Sequence, residues 1–411
     1  MSKTLKLCLG WFALIGRWFL SVGQNIRALL GPASGWNGLK RWLLQIASLV
    51  VGISSIGFLV VVLGLVPIKA SSGHWPITAW ILSFTMSRSV STHAMGIQVP
   101  AMDDSGMVLK GATLYETGCF PCHGNPTIQR PRIAMQMTPH PPYLPPVIHE
   151  WKPGELFYIV KHGVKFTGMP AWPARQRDDE VWAIVAFLQK FPELNEQEYK
   201  QMVSGENEQS GEVVPIQALS GRQLLPRSIS DTCIRCHGPE GQGRQAGVAP
   251  KLAGQKPAYL EAALDSYTRG KRHSGVMEPI AAALSRDEIR DLSRYFSELE
   301  ATPIISNSSE SEPAIQRGAT IALHGLPKAR IPICAECHGP SDNAQNKAYP
   351  TLAGQYAEYI ALQLKLFADD RRGGSEFGPL MHPVASLLST EQIRDVALYY
   401  QSLTVPPIRE R

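Results

Sequence analysis

The segment GCFPCHGNP, residues 118–126, decides the fold of this chain, because its pattern of two cysteines and a histidine occurs three times. The same Cys-x-x-Cys-His arrangement returns in DTCIRCHGP at 231–239 and in PICAECHGP at 332–340. Six of the seven cysteines belong to the motifs, namely Cys119, Cys122, Cys233, Cys236, Cys334 and Cys337. Only Cys8 lies elsewhere, which argues against a scattered disulfide framework.

Each motif predicts the covalent attachment of one c-type haem. Two thiols separated by a short turn reach the vinyl groups on one side of a porphyrin, and the next residue then presents its imidazole to the iron. His123, His237 and His338 are therefore the predicted proximal ligands of three haems. Zinc is the alternative for paired cysteines, but structural zinc sites usually combine pairs around one metal, whereas these pairs lie in separate repeats.

A methionine follows each motif and is the predicted distal ligand of its iron. Met169, Met277 and Met381 lie 46, 40 and 43 residues after the motif histidines. The last two are in register, each followed by x-Pro-Ile/Val-Ala, which distinguishes them from methionines that only fill a core. His273 and His382 do not recur between copies and are predicted to be surface or secondary residues. In the first repeat, Met169 has competitors: Met135, Met137, His140, His149 and His162.

Ligation by histidine and methionine predicts what these irons do. The thioether is a soft, weak donor that favours ferrous iron and raises the reduction potential relative to ligation by two histidines. All six coordination positions are filled, so none is open for peroxide, oxygen or nitrite. The irons are therefore expected to accept and pass electrons and to do no other chemistry.

An uncharged stretch before the motifs predicts a single membrane anchor. Residues 43–66 read LLQIASLVVGISSIGFLVVVLGLV, and as a helix they reach about 36 Å, enough to span a bilayer. Residues 1–42 carry six basic side chains and no acidic one, which favours a cytoplasmic N-terminus and a periplasmic location for the rest. A cleaved signal peptide, with small residues at Ala70 and Ser71, is the alternative, but the apolar run is long for a signal segment.

Two flanking segments are predicted to lie at the membrane surface. Residues 5–30 contain apolar runs broken by Arg17, and Cys8 among them lacks the small residues that precede a lipoprotein cysteine. Residues 67–107 form a predicted periplasmic linker. Within it, HWPITAWILSFTMSRSV at 74–90 carries two tryptophans, which suit the headgroup region.

The second half of the chain is a tandem duplication. APKLAGQKPAYLEAAL matches YPTLAGQYAEYIALQL about a hundred residues later, and VMEPIAAALSRDEIRDLSRYF matches LMHPVASLLSTEQIRDVALYY. A more divergent copy precedes both. We define predicted domain 1 as residues 108–203, domain 2 as 219–300 and domain 3 as 313–411, separated by polar linkers.

Each domain is predicted to end in a helix with an apolar stripe. Ser285 and Glu288 form a capping-box pair before one closing helix, and Ser389 and Gln392 do so before another. In domain 1 the stripe consists of Val181, Ile184, Val185 and Leu188. No stretch alternates like a strand, so the predicted fold class is all-α, with three small haem-centred domains behind one transmembrane helix.

These motifs resemble the class I cytochrome c superfamily. Residues 219–411 resemble the tandem diheme cytochromes of the bacterial periplasm, and residues 108–200 resemble a single-haem cytochrome c domain through GATLYETGCFPCHG and IVKHGVKFTGMPAWP. The resemblance covers about three quarters of the chain. It implies a respiratory electron carrier, and membrane-anchored members often serve a quinoprotein dehydrogenase or a terminal oxidase.

We therefore expect a protein of the bacterial inner membrane that carries electrons between a dehydrogenase or quinol-oxidising complex and a soluble cytochrome or terminal oxidase. The net charge of +5 resides in the N-terminal segment and no aromatic-basic stripe is present, so no nucleic-acid partner is expected. Two alternatives stay open. One is a haem enzyme, of the peroxidase or reductase type, with an open coordination position in domain 1. The other is a structural subunit that holds a dehydrogenase at the membrane.

Overall fold

The computed structural model describes residues 36–66, 68–204, 227–244, 248–304, 312–341, 343 and 345–405. The predicted amphipathic segment at 5–30, Cys8 and most of the two polar linkers lie outside these residues. The chain divides into two structural units, Met1–Ser72 and Gly73–Arg411.

The described residues are helical and contain no β-strand, which confirms the predicted all-α fold class. Two isolated β-bridges join Arg244 to Ala249 and Leu326 to Ile331. The α-helices are α1 (Trp36–Val62), α2 (Pro76–His93), α3 (Ser105–Gly118), α4 (Phe120–His123), α5 (Pro153–His162), α6 (Asp178–Lys190), α7 (Glu196–Ser204), α8 (Arg227–His237), α9 (Pro257–Thr268), α10 (Met277–Ala282), α11 (Arg286–Glu298), α12 (Glu312–His324), α13 (Ala335–His338), α14 (Ala357–Ala368), α15 (His382–Ala385) and α16 (Thr390–Ser402). Short 3-10 helices lie at Ala70–Ser72, Ala134–Gln136, Ile148–Glu150, Phe191–Glu193, Pro327–Ala329 and Gly378–Leu380.

Helix α1 belongs to the first unit and contains most of the predicted span. Its portion Gly38–Val62 has a mean hydropathy of 2.2, and among the described residues it is the one helix whose length and composition allow it to cross a membrane. The helix begins before the predicted boundary at residue 43 and ends before residue 66. A glycine stops it, because Gly64 adopts a φ of 66°, a left-handed conformation that terminates helices.

Helix α2 opens the second unit and coincides with the stretch predicted to be interfacial. Its exposed apolar side chains are Ile77, Trp80, Ile81, Leu82 and Phe84. The C-terminal end of α2 is attached to α5. There Ser91 Oγ donates a hydrogen bond to Glu155 at 2.7 Å, and His93 stacks on Tyr158 with ring centroids 5.5 Å apart. The helix is therefore held at one end, while its apolar first half is exposed within this unit.

In domain 1, helix α3 crosses helix α6 at a glycine. A Cβ added at Gly111 would lie 1.9 Å from the carbonyl oxygen of Ala183, so only glycine permits this approach. Domain 3 repeats the crossing between α12 and α16, where a Cβ at Gly318 would lie 2.0 Å from the carbonyl oxygen of Asp395. In both domains the helix before the motif thus meets the closing helix backbone to backbone.

Buried aromatic rings surround the crossing in domain 1. Tyr115, Phe187, Phe191 and Tyr199 lie in contact, with ring centroids 4.9 to 6.2 Å apart. The hydroxyl of Tyr115 donates a hydrogen bond to the carbonyl oxygen of Gly124 at 2.7 Å. Since Gly124 directly follows the first motif, this bond ties the motif to the core.

Both predicted capping boxes are confirmed. Ser285 Oγ accepts from the backbone N–H of Glu288 at 3.3 Å, and the Glu288 carboxylate accepts from the N–H of Ser285 at 2.7 Å. Ser389 and Gln392 make the same pair of bonds at 3.2 and 2.9 Å. Helix α6 contains the predicted stripe of domain 1, but Arg177 stands at its N-cap and supplies no hydroxyl.

We expect Gly111→Ala to destabilise the protein by about 1–3 kcal/mol, because overpacking a close backbone crossing pushes the two helices apart. Gly118→Ala in the same helix is the matched control, since its Cβ would lie 3.5 Å from Trp172, an ordinary contact. Urea unfolding followed by haem absorbance measures both variants. Equal unfolding midpoints for the two would contradict the role given to the crossing.

Candidate haem sites

Each Cys-x-x-Cys-His motif forms a helical turn that ends at its histidine. Helices α4, α8 and α13 end at His123, His237 and His338. The next residue is glycine in all three motifs, with φ of 77°, 76° and 78°. This left-handed conformation favours glycine and turns the chain away immediately after the histidine.

The three motif histidines share one hydrogen-bond arrangement. Each places its Nδ1 near a proline carbonyl oxygen, and the partners of His123, His237 and His338 are Pro142, Pro250 and Pro350 at 2.9, 2.9 and 3.0 Å. A carbonyl only accepts, so each Nδ1 carries the proton and each Nε2 keeps its lone pair for a metal. Burial lowers the pKa of all three imidazoles, which favours this neutral form.

Four of the six motif thiols lie in surroundings that disfavour the thiolate. Burial raises the pKa of the Cys119 thiol to about 12 and that of Cys233 to about 11, and it also raises the pKa of Cys334. A structural zinc site would need four ligands close together. In the part of the chain that the structure describes, no three His, Cys, Asp or Glu side chains converge to hold a metal ion.

A cavity of about 540 Å³ joins the second and third motifs. Its lining includes predicted haem-binding side chains of both domains: Cys233, Cys236, His237, Met277, Cys334, Cys337, His338 and Met381. The fold therefore brings each of these two motifs to the same cavity as the methionine that the sequence assigned to it. Because both sites open into one space, domains 2 and 3 face each other through them.

Two arginines line this cavity, and their positive charges can be compared with the charge of a haem. Arg272 is 5% exposed and donates from Nη2 to the hydroxyl of Tyr359 at 2.8 Å. The half-buried Arg372 donates from Nε to Gln363 at 2.6 Å. The partners described for both guanidinium groups are neutral, and a buried cation without a counter-charge is unfavourable. Haem carries two propionate carboxylates, so its anionic edge fits the chemistry of this wall.

In domain 1 the candidates for the distal ligand differ in their exposure to solvent. Three of the five competitors, His140, His149 and His162, have exposed side chains. Met169 lies in a turn, where its carbonyl oxygen accepts from the N–H of Val164 at 3.1 Å. Met137 lies beside this turn, since its methyl carbon would be 2.1 Å from a Cβ at Gly168. Met169 stays the predicted ligand, and the partly buried Met135 and Met137 stay its competitors.

Two glutamines join domains 2 and 3. They occupy equivalent positions in the two copies of the duplication. Gln255 donates to the carbonyl oxygen of Thr351 at 3.0 Å and accepts from the Thr351 N–H at 2.8 Å. Gln355 makes the same two bonds with Lys251, at 2.9 and 3.0 Å. The exchange is reciprocal, so the two repeats bind each other through equivalent residues.

The sequence analysis did not identify two glutamines and two arginines as parts of the site. Gln255 and Gln355 belong to the Leu-Ala-Gly-Gln marker of the repeat, but the repeat alone did not reveal that they pair with the other domain. Arg272 and Arg372 are separated by the same interval of 100 residues. A polar residue that recurs after 100 residues is the signal that could have identified both the glutamines and the arginines.

Comparison with known families covers all three motifs. Residues 106–188 match the family described as cytochrome c oxidase, cbb3-type, subunit III. Residues 222–300 and 329–404 each match the cytochrome c family. Together the matched residues make up more than half of the chain.

Three curated relatives each match between two fifths and half of the chain. A thiosulfate dehydrogenase electron acceptor from Stutzerimonas stutzeri (strain A1501) is 35% identical over 193 residues, 46% of this chain and 88% of that protein. A protein of the same description from Thiomonas intermedia (strain K12) is 34% identical over 182 residues, 43% of this chain and 81% of that protein. Cytochrome c4 from Thiocapsa roseopersicina is 33% identical over 174 residues, 42% of this chain and 87% of that protein.

Removing a positive charge near a haem favours ferric iron, which carries one more positive charge than ferrous iron. We therefore expect Arg272→Gln to lower a reduction potential in the shared cavity by on the order of 50 mV, close to the ~59 mV of a tenfold change in a one-electron equilibrium. Arg269→Gln is the matched control, because Arg269 is exposed and pairs with Asp265 at 3.0 Å. Spectroelectrochemical titration measures both. Equal shifts in the two variants would contradict a specific role for Arg272.

Proposed function

The chain belongs to the class I cytochrome c superfamily, and from this premise we propose that it is a membrane-anchored triheme cytochrome that carries electrons. The observation that carries the proposal is the shared geometry of the three motif turns, each ending in a histidine with the same hydrogen bond to a proline carbonyl. A geometry repeated three times supports one haem in each domain.

The residues that would hold the haems follow from this geometry. Thioether bonds would come from Cys119, Cys122, Cys233, Cys236, Cys334 and Cys337. Axial ligands would be the pairs His123 and Met169, His237 and Met277, and His338 and Met381. When bound, each haem supplies the one-electron chemistry of its iron. The protein orients each imidazole through the Nδ1–H bond and supplies Arg272 and Arg372 as counter-charges in the shared cavity.

Electron transfer between proteins is the activity that this ligand set supports best. A histidine and a methionine on each iron leave no coordination position for a substrate, so the chain itself does no bond chemistry. In domains 2 and 3 the proposal is supported by Met277 and Met381, which line the cavity together with the motif histidines. In domain 1 it depends on Met169.

The anchor and the location complete the proposal. Helix α1 would cross the bacterial inner membrane once, with the basic N-terminal segment in the cytoplasm and the haem domains in the periplasm. The exposed apolar side chains of α2 suit a position at the periplasmic surface of the bilayer. This arrangement keeps the haems close to membrane-bound redox partners.

Thiosulfate dehydrogenase is the donor that the relatives favour. Two of them are described as electron acceptors of that enzyme, at 35% and 34% identity. We expect the ferric protein to be reduced when thiosulfate and a thiosulfate dehydrogenase are added together, with haem absorbance as the readout. The enzyme without thiosulfate is the control. Absence of reduction at saturating thiosulfate would redirect the search to another dehydrogenase or to a quinol-oxidising complex.

Carbon monoxide tests the electron-carrier proposal, because it binds ferrous haem only at an open or weakly occupied position. We expect the dithionite-reduced protein to contain three c haems per chain by pyridine haemochrome and to keep its spectrum when carbon monoxide is added. Six-coordinate irons give this result, and the absorption spectrum before and after the gas measures it.

A spectral change in one third of the haem would contradict the proposal. It would indicate an open iron, and domain 1 would then be a candidate peroxidase or reductase site. Met169→Ala provides the matched positive control, since loss of that ligand should create carbon monoxide binding in one haem of an otherwise unreactive protein.

A further inference from the structure

Glu180 stands at the third position of helix α6 and makes contacts that its counterparts do not make. The same helix position is Glu288 in α11 and Gln392 in α16, and both side chains bond back to their own N-cap serine. Helix α6 has Arg177 at its N-cap in place of a serine. The side chain of Glu180 is instead 3% exposed and reaches domain 2.

The carboxylate of Glu180 accepts hydrogen bonds from both domains. One oxygen accepts from the N–H of Gly275 at 2.8 Å and from the indole N–H of Trp172 at 2.9 Å. The other accepts from Ser274 Oγ at 2.9 Å and lies 3.1 Å from the guanidinium of Arg177. Trp172 and Arg177 belong to domain 1, whereas Ser274 and Gly275 belong to domain 2. A buried carboxylate satisfied in this way holds two surfaces together.

Arg177, which also belongs to domain 1, strengthens the same contact. Its Nη1 donates to the carbonyl oxygen of His273 at 2.7 Å, directly before Ser274. Its remaining nitrogens bind Asp179 at 2.8 and 2.9 Å, and Lys110 also binds Asp179 at 2.8 Å. The guanidinium is therefore fixed within domain 1 while it binds domain 2.

The segment that hydrogen-bonds to Glu180, namely Ser274 and Gly275, lies just before Met277 in the chain. Ser274 Oγ also accepts from the N–H of Met277 at 3.3 Å, so the hydroxyl bonded to Glu180 is bonded to the first residue of α10. The side chain of Val276 packs against the hydrophobic core of domain 1. A Cβ at Gly275 would lie 2.2 Å from the indole of Trp172, which leaves room for glycine alone.

We propose that Glu180 of domain 1 is a positioning residue for Met277, the axial methionine of domain 2. The inference rests on the proposed function, because it requires Met277 to be an iron ligand. Domain 1 then fixes the distal side of the haem site in domain 2 by holding the turn from Ser274 to Met277. Trp172 lies three residues after Met169, so the segments carrying the distal ligands of domains 1 and 2 meet at this contact.

The test uses the full-length ferrous protein and proton NMR. Ring current moves the methyl resonance of an axial methionine far upfield, so each methionine-ligated haem contributes one such resonance. Met277→His identifies the resonance of Met277 by its disappearance. We then expect Glu180→Gln to shift or abolish that resonance and to change the reduction potential of the same haem, while the other two haems keep theirs. A glutamine has one acceptor oxygen, and its NH2 group would face the donors that Glu180 now binds.

Two further variants separate positioning from a loss of helix stability. Glu288→Gln changes the same helix position in α11, where the carboxylate caps its own helix, and it should leave the Met277 resonance in place. Ser274→Ala removes the bridging hydroxyl from the side of domain 2 and should shift the resonance even if Glu180→Gln fails to fold. In the Glu180→Gln background, Ser274→Ala should shift the Met277 resonance less than it does in the wild-type protein, because the two residues share one hydrogen bond.

The outcomes distinguish the inference from the proposed function. If Met277→His leaves every upfield resonance in place, Met277 is not a ligand and the proposed function is wrong for domain 2. If Met277→His removes one resonance but Glu180→Gln and Ser274→Ala leave it unchanged, the ligation stands and the positioning role is wrong. A shift of equal size in Glu288→Gln would also overturn the positioning role.

Discussion

A hydrogen bond from histidine Nδ1 to a proline carbonyl recurs in all three motif turns, and the haem sites depend on it. It selects one tautomer, so Nε2 of His123, His237 and His338 keeps a lone pair that is available to a metal. Directly after each histidine, a glycine in left-handed conformation redirects the chain. The short motif helices, the path of the loop that follows them and the ring orientation are thus parts of one local constraint that the chain uses three times.

The glutamine contact between domains 2 and 3 and the Glu180 contact between domains 1 and 2 differ in their physical basis. Domains 2 and 3 meet through equivalent residues, and Gln255 and Gln355 each satisfy a backbone N–H and a carbonyl of the other repeat. Domains 1 and 2 meet through an ion-paired carboxylate and an indole that have no counterparts in the duplication. The contact between domains 2 and 3 arises from the duplication. The contact between domains 1 and 2 depends on residues that only domain 1 supplies.

Domain 2 contacts both of its neighbours through residues near its predicted haem site. Its motif side chains open into the cavity that it shares with domain 3, while Ser274 and Gly275, near Met277, are bound by Glu180 of domain 1. Domains 1 and 3 also touch, since Arg371 Nη1 lies 3.9 Å from the Asp178 carboxylate. Each of the three domains therefore borders the other two.

The sequence by itself determined the motif cysteines and histidines, the all-α class, the duplication and the capping boxes at Ser285 and Ser389, because each depends on residues close together in the chain. Only the tertiary structure decided that Arg272 and Arg372 enter one cavity, and that Glu180 leaves its own helix cap to bind domain 2. Those partners lie far apart in sequence, and the capping-box pattern, which needs a serine or threonine at the N-cap, predicts nothing for a glutamate that follows Arg177. Its buried role follows from the packing of two domains, which no local pattern encodes.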